Sequence, residues 1–308
     1  MLKRFFIISM VSILLLTIPT ACKNQPNQKV IIGVLQDVNS LPFIIADHMG
    51  YFKDNGIDVQ VQLFSSAVER DAALQSGNID GCMSDILGAV FAVQEGQDIK
   101  ITSVTNGDYV LLVSKNSGIN TVSDLKNIEI GLSTNTIIEY AADSIMTKNG
   151  IAPSEIKKIA VPKIPIRLEM LANEKLQAAC LPQPLASLAQ LKGAKVIATS
   201  TQEGLAPSVM VFRSTSIQQK KEELVKVYET YNHAAQLLNK DKAQFMDIII
   251  EKAKFPVEIR DVLTLPQYSQ ANLPAQSDIL NVLEWMQQKK LLKKDIQYDM
   301  LVEKGLFK

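Results

Sequence analysis

Polar side chains able to hold a small ligand collect in this sequence where an apolar, strand-like run gives way to a helix-like one. Asp37, Asn39 and Ser40 follow the run 29–35 (KVIIGVL), Ser65 and Ser66 follow 58–64, and Ser84 and Asp85 follow 79–83. Ser133, Thr134, Asn135 and Thr136 follow 128–132, and Gln183 lies at a fifth junction, after 176–181. Hydroxyls and unpaired backbone N–H groups at helix starts suit an anionic ligand group. Each residue taken singly is also an ordinary helix N-cap; together, on both halves of the chain, they predict a binding cleft. The charges qualify the ligand. Asp37, Asp85 and Asp108 fall in loops expected to face the cleft, and Glu139 one turn into a helix. Carboxylates without matched Lys or Arg favour an amine or aminopyrimidine over a naked sulfonate or nitrate. As solvated loop residues or caps, the same acids would select nothing. Tyr109 and Tyr140 offer rings on which a flat ligand could stack.

The elements that must position these residues alternate. Strands are expected at 29–35, 58–64, 79–83, 99–104 and 109–113, with helices at 42–49, 68–75 and 84–95 between them. Strict apolar–polar alternation marks 58–64 as half-buried. The pattern restarts with strands at 128–132, 156–161, 176–181 and 195–198, and helices at 136–149, 164–172 and 184–191. Strand, crossover helix and strand in repetition predict an α/β fold with mainly parallel sheets flanked by helices. A faint echo links 74–81 (LQSGNIDG) with 171–178 (LANEKLQA), each a helix turning into a short strand, as two lobes of similar design would produce. After a further strand at 208–212 come helices at 217–238, 242–253, 257–263 and 277–289, expected to pack on the first lobe. The chain is therefore expected to cross between lobes near Ser114 and near Ala206. Lobe 1 would comprise 29–113 plus 207–308, and lobe 2 would comprise 114–206.

The first residues concern location. Lys3 and Arg4 precede an apolar stretch to Leu16 and small residues to Ala21, the pattern of an export signal over 1–21. Cys22 sits where a bacterial lipoprotein carries its lipidated cysteine, although Pro19 stands where such proteins usually show Leu. Lipidation there would anchor the chain to the outer face of the cytoplasmic membrane or leave it in the periplasm, with 22–28 as cysteine and tether. An ordinary cut after Ala21 would leave a free thiol instead. Without Lys3 and Arg4 the 32 basic residues fall to 30 against 32 acids, so neither nucleic acid nor anionic lipid is an expected partner. Cys82 and Cys180 read as small buried hydrophobes or, in an exported protein, as a pair. The two histidines, His48 and His233, have no partner at metal-ligand spacing, and no cofactor is expected. Neither a phosphate loop nor a Ser-His-Asp elbow occurs.

One stretch, 41–59 (LPFIIADHMGYFKDNGIDV), resembles the opening motif of a family of solute-binding proteins serving ABC importers of sulfonates, taurine, nitrate and thiamine pyrimidine precursors. That motif is an apolar helix, "GYF", a few polar residues, "G(L/I)" and a strand. Residues 73–80 (ALQSGNID), 123–131 (SDLKNIEIG) and 181–184 (LPQP) resemble later steps of the family pattern, with Asn127 in place of the usual Gly and Gln183 in place of the commoner acid. The resemblance implies a two-lobed periplasmic-binding-protein-like fold of type II with the ligand cleft between lobes. It also implies hinge closure over a small solute, delivery to a permease with a cytosolic ATPase, and a monomer that is not an enzyme. A thiamine pyrimidine precursor is the favoured solute, with an aliphatic sulfonate, taurine or nitrate close behind. A pyrimidine synthase or dehydratase on the same fold, or a ligand sensor, is the alternative.

Overall fold

The computed structural model describes residues 28–307; the expected export signal and Cys22 lie outside the described residues. The chain opens with β1 (Val30–Val34), α1 (Leu41–His48), α2 (Tyr51–Asp54) and β2 (Val59–Leu63). It continues through α3 (Ala67–Gln75), β3 (Gly81–Asp85), α4 (Ile86–Gln94) and β4 (Ile99–Val104). β5 (Tyr109–Val113), β6 (Glu129–Leu132), α5 (Ile137–Lys148), β7 (Lys157–Ala160) and α6 (Ile164–Ala172) follow, then β8 (Ala178–Pro182), α7 (Leu185–Leu191) and β9 (Lys195–Thr199). The last part holds β10 (Ser208–Arg213), α8 (Ser214–Gln219), α9 (Lys221–Lys240), α10 (Met246–Lys252), α11 (Gln276–Gln288) and α12 (Tyr298–Leu301).

Among the described residues, ten strands form two sheets of five, ordered β2-β1-β3-β10-β4 and β7-β6-β8-β5-β9. In each, the fourth strand runs antiparallel to both neighbours, β10 against β3 and β4, β5 against β8 and β9. Each of these reversed strands also slips register against its outer neighbour, at Met210/Val211 and at Leu111/Leu112. The two lobes are thus one design used twice, and the faint echo in sequence is its trace. Glycine shows why the repeat packs alike. A Cβ on Gly33 of β1 would lie 2.7 Å from Ile79 Cδ1 and 3.3 Å from Arg70 Cγ. A Cβ on Gly131 of β6 would lie 2.5 Å from Leu176 Cδ1 and 3.5 Å from Arg167 Cγ. In both lobes a bare backbone lets the corresponding helix, α3 or α6, settle on the second strand of the sheet. Asn127, in the family's glycine position, adopts φ 62°, a left-handed conformation that Asn tolerates better than most residues.

Two expectations need correction. Tyr109–Val113 belongs to the second sheet, paired with β8 and β9, so the first crossing between lobes precedes Tyr109 rather than falling at Ser114. Residues 257–263 form only a single 3-10 turn, Val257–Ile259, after Pro256. The C-terminal helices cover the first lobe as expected: α9 and α10 pack on α1, and α11 on α4. α11 also reaches across to α5 of the second lobe. There Trp285 stands edge-on to Tyr140 at 5.7 Å and donates its Nε1–H to Asp143 Oδ2 at 2.9 Å. Cys82 and Cys180 are free and buried, one per sheet, and burial pushes both thiols up to about 12, so neither is a ready nucleophile.

Candidate ligand-binding site

The first lobe presents two carboxylates at the carboxyl ends of its central strands. After β1, Asp37 caps a 3-10 turn, its Oδ1 accepting from Ser40 N at 3.0 Å and Ser40 Oγ at 2.8 Å. After β3, Asp85 caps α4, its Oδ1 accepting from Gly88 N at 2.8 Å. Burial raises both carboxyls above the ordinary aspartate value, against the lowering effect of these hydrogen bonds and of the Arg70 charge. Tyr109 of the second lobe stands close enough for both aspartates to act on its phenol, which burial and then Asp85 push upward. Its hydroxyl lies 3.4 Å from Ser208 Oγ on β10, so the ring bridges the strands that join the lobes. Asp37, Asp85 and Tyr109 are therefore brought together from both lobes. Asn39 is buried beside them in sequence, and its Oδ1 has no hydrogen-bond partner among the described residues.

Other candidates are placed differently. Ser65 bonds Glu69 Oε2 at 2.5 Å, and Ser66 caps α3 by accepting from Glu69 N at 3.3 Å. Ser84 lines a separate hollow between α3 and α4 with Asp71, Gly88 and Phe91. In the second lobe Thr134 and Asn135 are exposed ahead of α5, and Thr136 caps that helix, accepting from Ile138 N at 3.2 Å. Gln183 is buried, with Oε1 accepting from Ser187 N at 3.1 Å and Ser187 Oγ at 2.8 Å.

The set of unmatched acids shrinks accordingly. Asp108 is enclosed by donors of its own lobe: Ser200 Oγ, Thr201 N and Thr201 Oγ1 all bond its Oδ1 within 3.2 Å. Glu139 is matched by cations after all. It accepts from Asn135 N at 2.5 Å and Lys158 Nζ at 2.9 Å, and Lys289 pairs with it as well. Burial alone would raise its carboxyl; the bonds from Lys289, Asn135 and Lys158 outweigh that and hold it below the usual range. Tyr140 packs edge-on against Trp285. Tyr140, Asp143, Lys158, Trp285 and Lys289 border a groove of about 700 Å³ between α5 and α11, in which Lys158 pairs with Asp143 while Lys158 and Lys289 both pair with Glu139 beside it.

Two buried arginines were not singled out from sequence. Arg70 donates from Nε and Nη2 to Asp71 Oδ1 at 2.9 and 2.7 Å. Arg167 is fully buried and donates from Nη1 to Ser133 Oγ at 2.9 Å and to Val161 O at 3.0 Å. An arginine on an amphipathic helix reads as surface; the echo between the lobes, extended three or four residues upstream, was the signal that could have found the pair. Among the described residues no group of His, Cys, Asp and Glu could hold a metal ion, and no helix is long and apolar enough to cross a membrane.

The two-sheet topology with reversed fourth strands has known counterparts. The crystal structure of the periplasmic aliphatic sulphonate binding protein SsuA from Escherichia coli superposes with a TM-score of 0.76 at 17% identity, over 90% of this chain and 92% of that one. A Candida albicans protein described as exhibiting the generic periplasmic binding protein structural fold matches with a TM-score of 0.65 at 13% identity, over 90% of this chain and 96% of the other. This chain has the periplasmic-binding-protein fold. The zinc-bound ligand-binding component of an ABC-type import system from Staphylococcus aureus matches with a TM-score of 0.74 at 18% identity, covering 91% of this chain and 98% of its own. Residues 37–180 match the family described as NMT1/THI5 like, a span that runs from Asp37 to the centre of β8. No curated protein sequence matches the chain. The structural neighbours are mostly binding proteins of import systems rather than enzymes, and their ligands differ, so the periplasmic-binding-protein fold by itself names no solute.

Proposed function

We propose that the protein is the extracytoplasmic solute-binding lipoprotein of an ABC importer. It captures a small nitrogen-containing solute between its lobes and presents it to a permease. The observation that carries this reading is the placement of Tyr109 of one lobe, its hydroxyl 3.4 Å from Ser208 Oγ, where Ser208 pairs across β10 and β3 with Asp85 of the other, Asp37 also lying within electrostatic reach of the phenol. Two carboxylates at strand ends offer charge-assisted bonds to an amine or a protonated aminopyrimidine, and a phenol ring offers a face. A thiamine pyrimidine precursor has both features and is the favoured solute. Solute bound to one lobe draws the other over it, because the closed state binds it better than the open one. The energy of import comes from a cytosolic ATPase that this chain does not contain.

A thermal-shift screen over aminopyrimidines, thiamine, alkanesulfonates, nitrate and amino acids tests the solute. A ligand of the folded state at about 100 times its Kd adds about 2.7 kcal/mol of stability. A rise in midpoint with the nitrogen compounds and none with the simple anions is the expected result; a rise with nitrate or alkanesulfonates alone rejects the reading. Anchoring at Cys22 is tested separately. Cys22→Ser should move the protein from the membrane fraction to the soluble fraction, and unchanged partitioning would refute the anchor.

A further inference from the structure

Two crossings of the chain join the lobes, and α11 adds a contact between them that no backbone bond requires. α11 packs on α4 and so belongs with the first lobe. From there Lys289 pairs with Glu139 on α5 and lies over the Trp285 ring, 4.9 Å from its centre. Trp285 donates to Asp143 Oδ2 and stands edge-on to Tyr140. Leu205 of the second crossing borders the same groove, and Lys148 at the end of α5 donates to Glu203 O of that crossing at 2.6 Å. The contact therefore lies beside a crossing, where a rotation between lobes is felt. Another polar contact between the lobes, Thr264 N on Ser187 Oγ, is long at 3.4 Å and carries no charge.

The charges on the α5–α11 contact are arranged for separation. Glu139 and Asp143 are buried, and a buried carboxylate stripped of its partner is costly. Both keep a cation of their own lobe, because Lys158 of β7 lies 2.9 Å from Glu139 Oε1 and 2.7 Å from Asp143 Oδ2. Asn135 N, also of the second lobe, donates to Glu139 Oε2 at 2.5 Å. Removal of α11 thus takes away Lys289 and the Trp285 indole without stranding either acid. Lys289 and Trp285 are half-buried, so water can replace what their donors lose. With α11 docked, Asp143 Oδ1 is buried and has no hydrogen-bond partner among the described residues, a cost that entry of water on separation relieves.

We propose that the α5–α11 contact is a releasable latch: Lys289 and Trp285 hold the lobes in the arrangement described here and must let go of α5 for the lobes to rotate. This rests on the capture-by-closure reading and adds to it residues that bond to none of Asp37, Asp85 and Tyr109. A ligand shifts an equilibrium between arrangements only by its differential affinity for them, so the latch sets how much of the binding free energy goes into rotation.

Double electron–electron resonance between spin labels tests this without any solute. The labels are attached through Lys53→Cys on α2 and Lys175→Cys after α6, both exposed sites, in the Cys22→Ser protein. Cys82 and Cys180 are buried with raised thiols and stay unlabelled. Lys289→Ala combined with Trp285→Phe should shift the label separation, or add a second one, by several ångströms. Gln287→Ala, exposed on the same helix, should leave the distribution as it is. Lys289→Gln alone serves if the double variant folds poorly, and should give a smaller shift of the same sign. Trp285 is the only tryptophan, so its emission should move to the red in Lys289→Gln as the indole gains water. If the separations in the double variant, or in Lys289→Gln where that alone folds, match the parent, the crossings fix the lobes by themselves and the proposal falls. If the separation shifts while the solute panel yields no binder, the latch stands and solute capture falls.

Discussion

Asp85 does two jobs with one side chain: one oxygen caps α4, and the charge faces Tyr109 across the junction of the lobes. Asp85→Asn keeps an acceptor for the Gly88 amide but removes the charge, so the fold should survive while an amine solute loses about 1.5–3 kcal/mol of binding, a factor of roughly 10 to 150. Calorimetry on the variant checks this; unchanged affinity would take Asp85 out of the site. The same residues set a pH dependence. Because burial raises Asp37 and Asp85, each holds its proton to a higher pH than in the unfolded chain. Their ionisation therefore costs stability as pH rises through the raised values. Binding runs the other way. The carboxylates must be charged to hold a cation, so affinity for an amine should begin to fall, on acidification, above the usual aspartate range. Titrations between pH 7 and pH 4 would show it; affinity constant to the ordinary value would contradict it. Glu139 opposes the aspartates in stability, since its lowered carboxyl contributes most above its unfolded value and is lost as pH falls through the folded one.

At the scale of elements, β3 is the strand on which the first lobe closes, holding β1 on one side and the returning β10 on the other. Gly81 permits that approach: a Cβ there would sit 2.5 Å from the Val211 carbonyl oxygen and 2.3 Å from Phe212 Cδ1. Gly81→Ala should therefore destabilise the protein by about 1–3 kcal/mol, read as a lower denaturation midpoint, because backbone cannot step aside as a side-chain tip can. Most strands were legible from local pattern, since 29–35 reads as a continuously apolar, buried strand and 58–64 as an alternating, half-buried one. Local pattern cannot say which sheet a strand joins. β5 follows β4 in sequence yet pairs with strands about 70 to 90 residues later, so its lobe was assigned wrongly. The candidate site divides the same way. Asp37 and Asp85 were legible because a cap position is local; the pairing of Glu139 with Lys289, 150 residues away, was not. The expected helix at 217–238 breaks at Lys220, whose Nζ is drawn to Asp80 at 2.8 Å, another partner no local pattern contains.

At the scale of the molecule, two copies of one five-stranded design are joined by crossings on either side of the second lobe and bridged by α11. Such an arrangement can bend about the crossings while each sheet stays rigid, which is what capture by closure needs. The bridge from Trp285 and Lys289 to α5 lies along a groove whose central charges pair with one another, and it holds the two lobes in contact. The most direct measurement is a crystal structure of the protein with the tightest binder from the solute panel. The account predicts density between the lobes, in contact with Asp37 and Asp85 on one side and with Tyr109 and the start of α5 on the other. Density in the α5–α11 groove, or on one lobe with no contact to either aspartate, would contradict it.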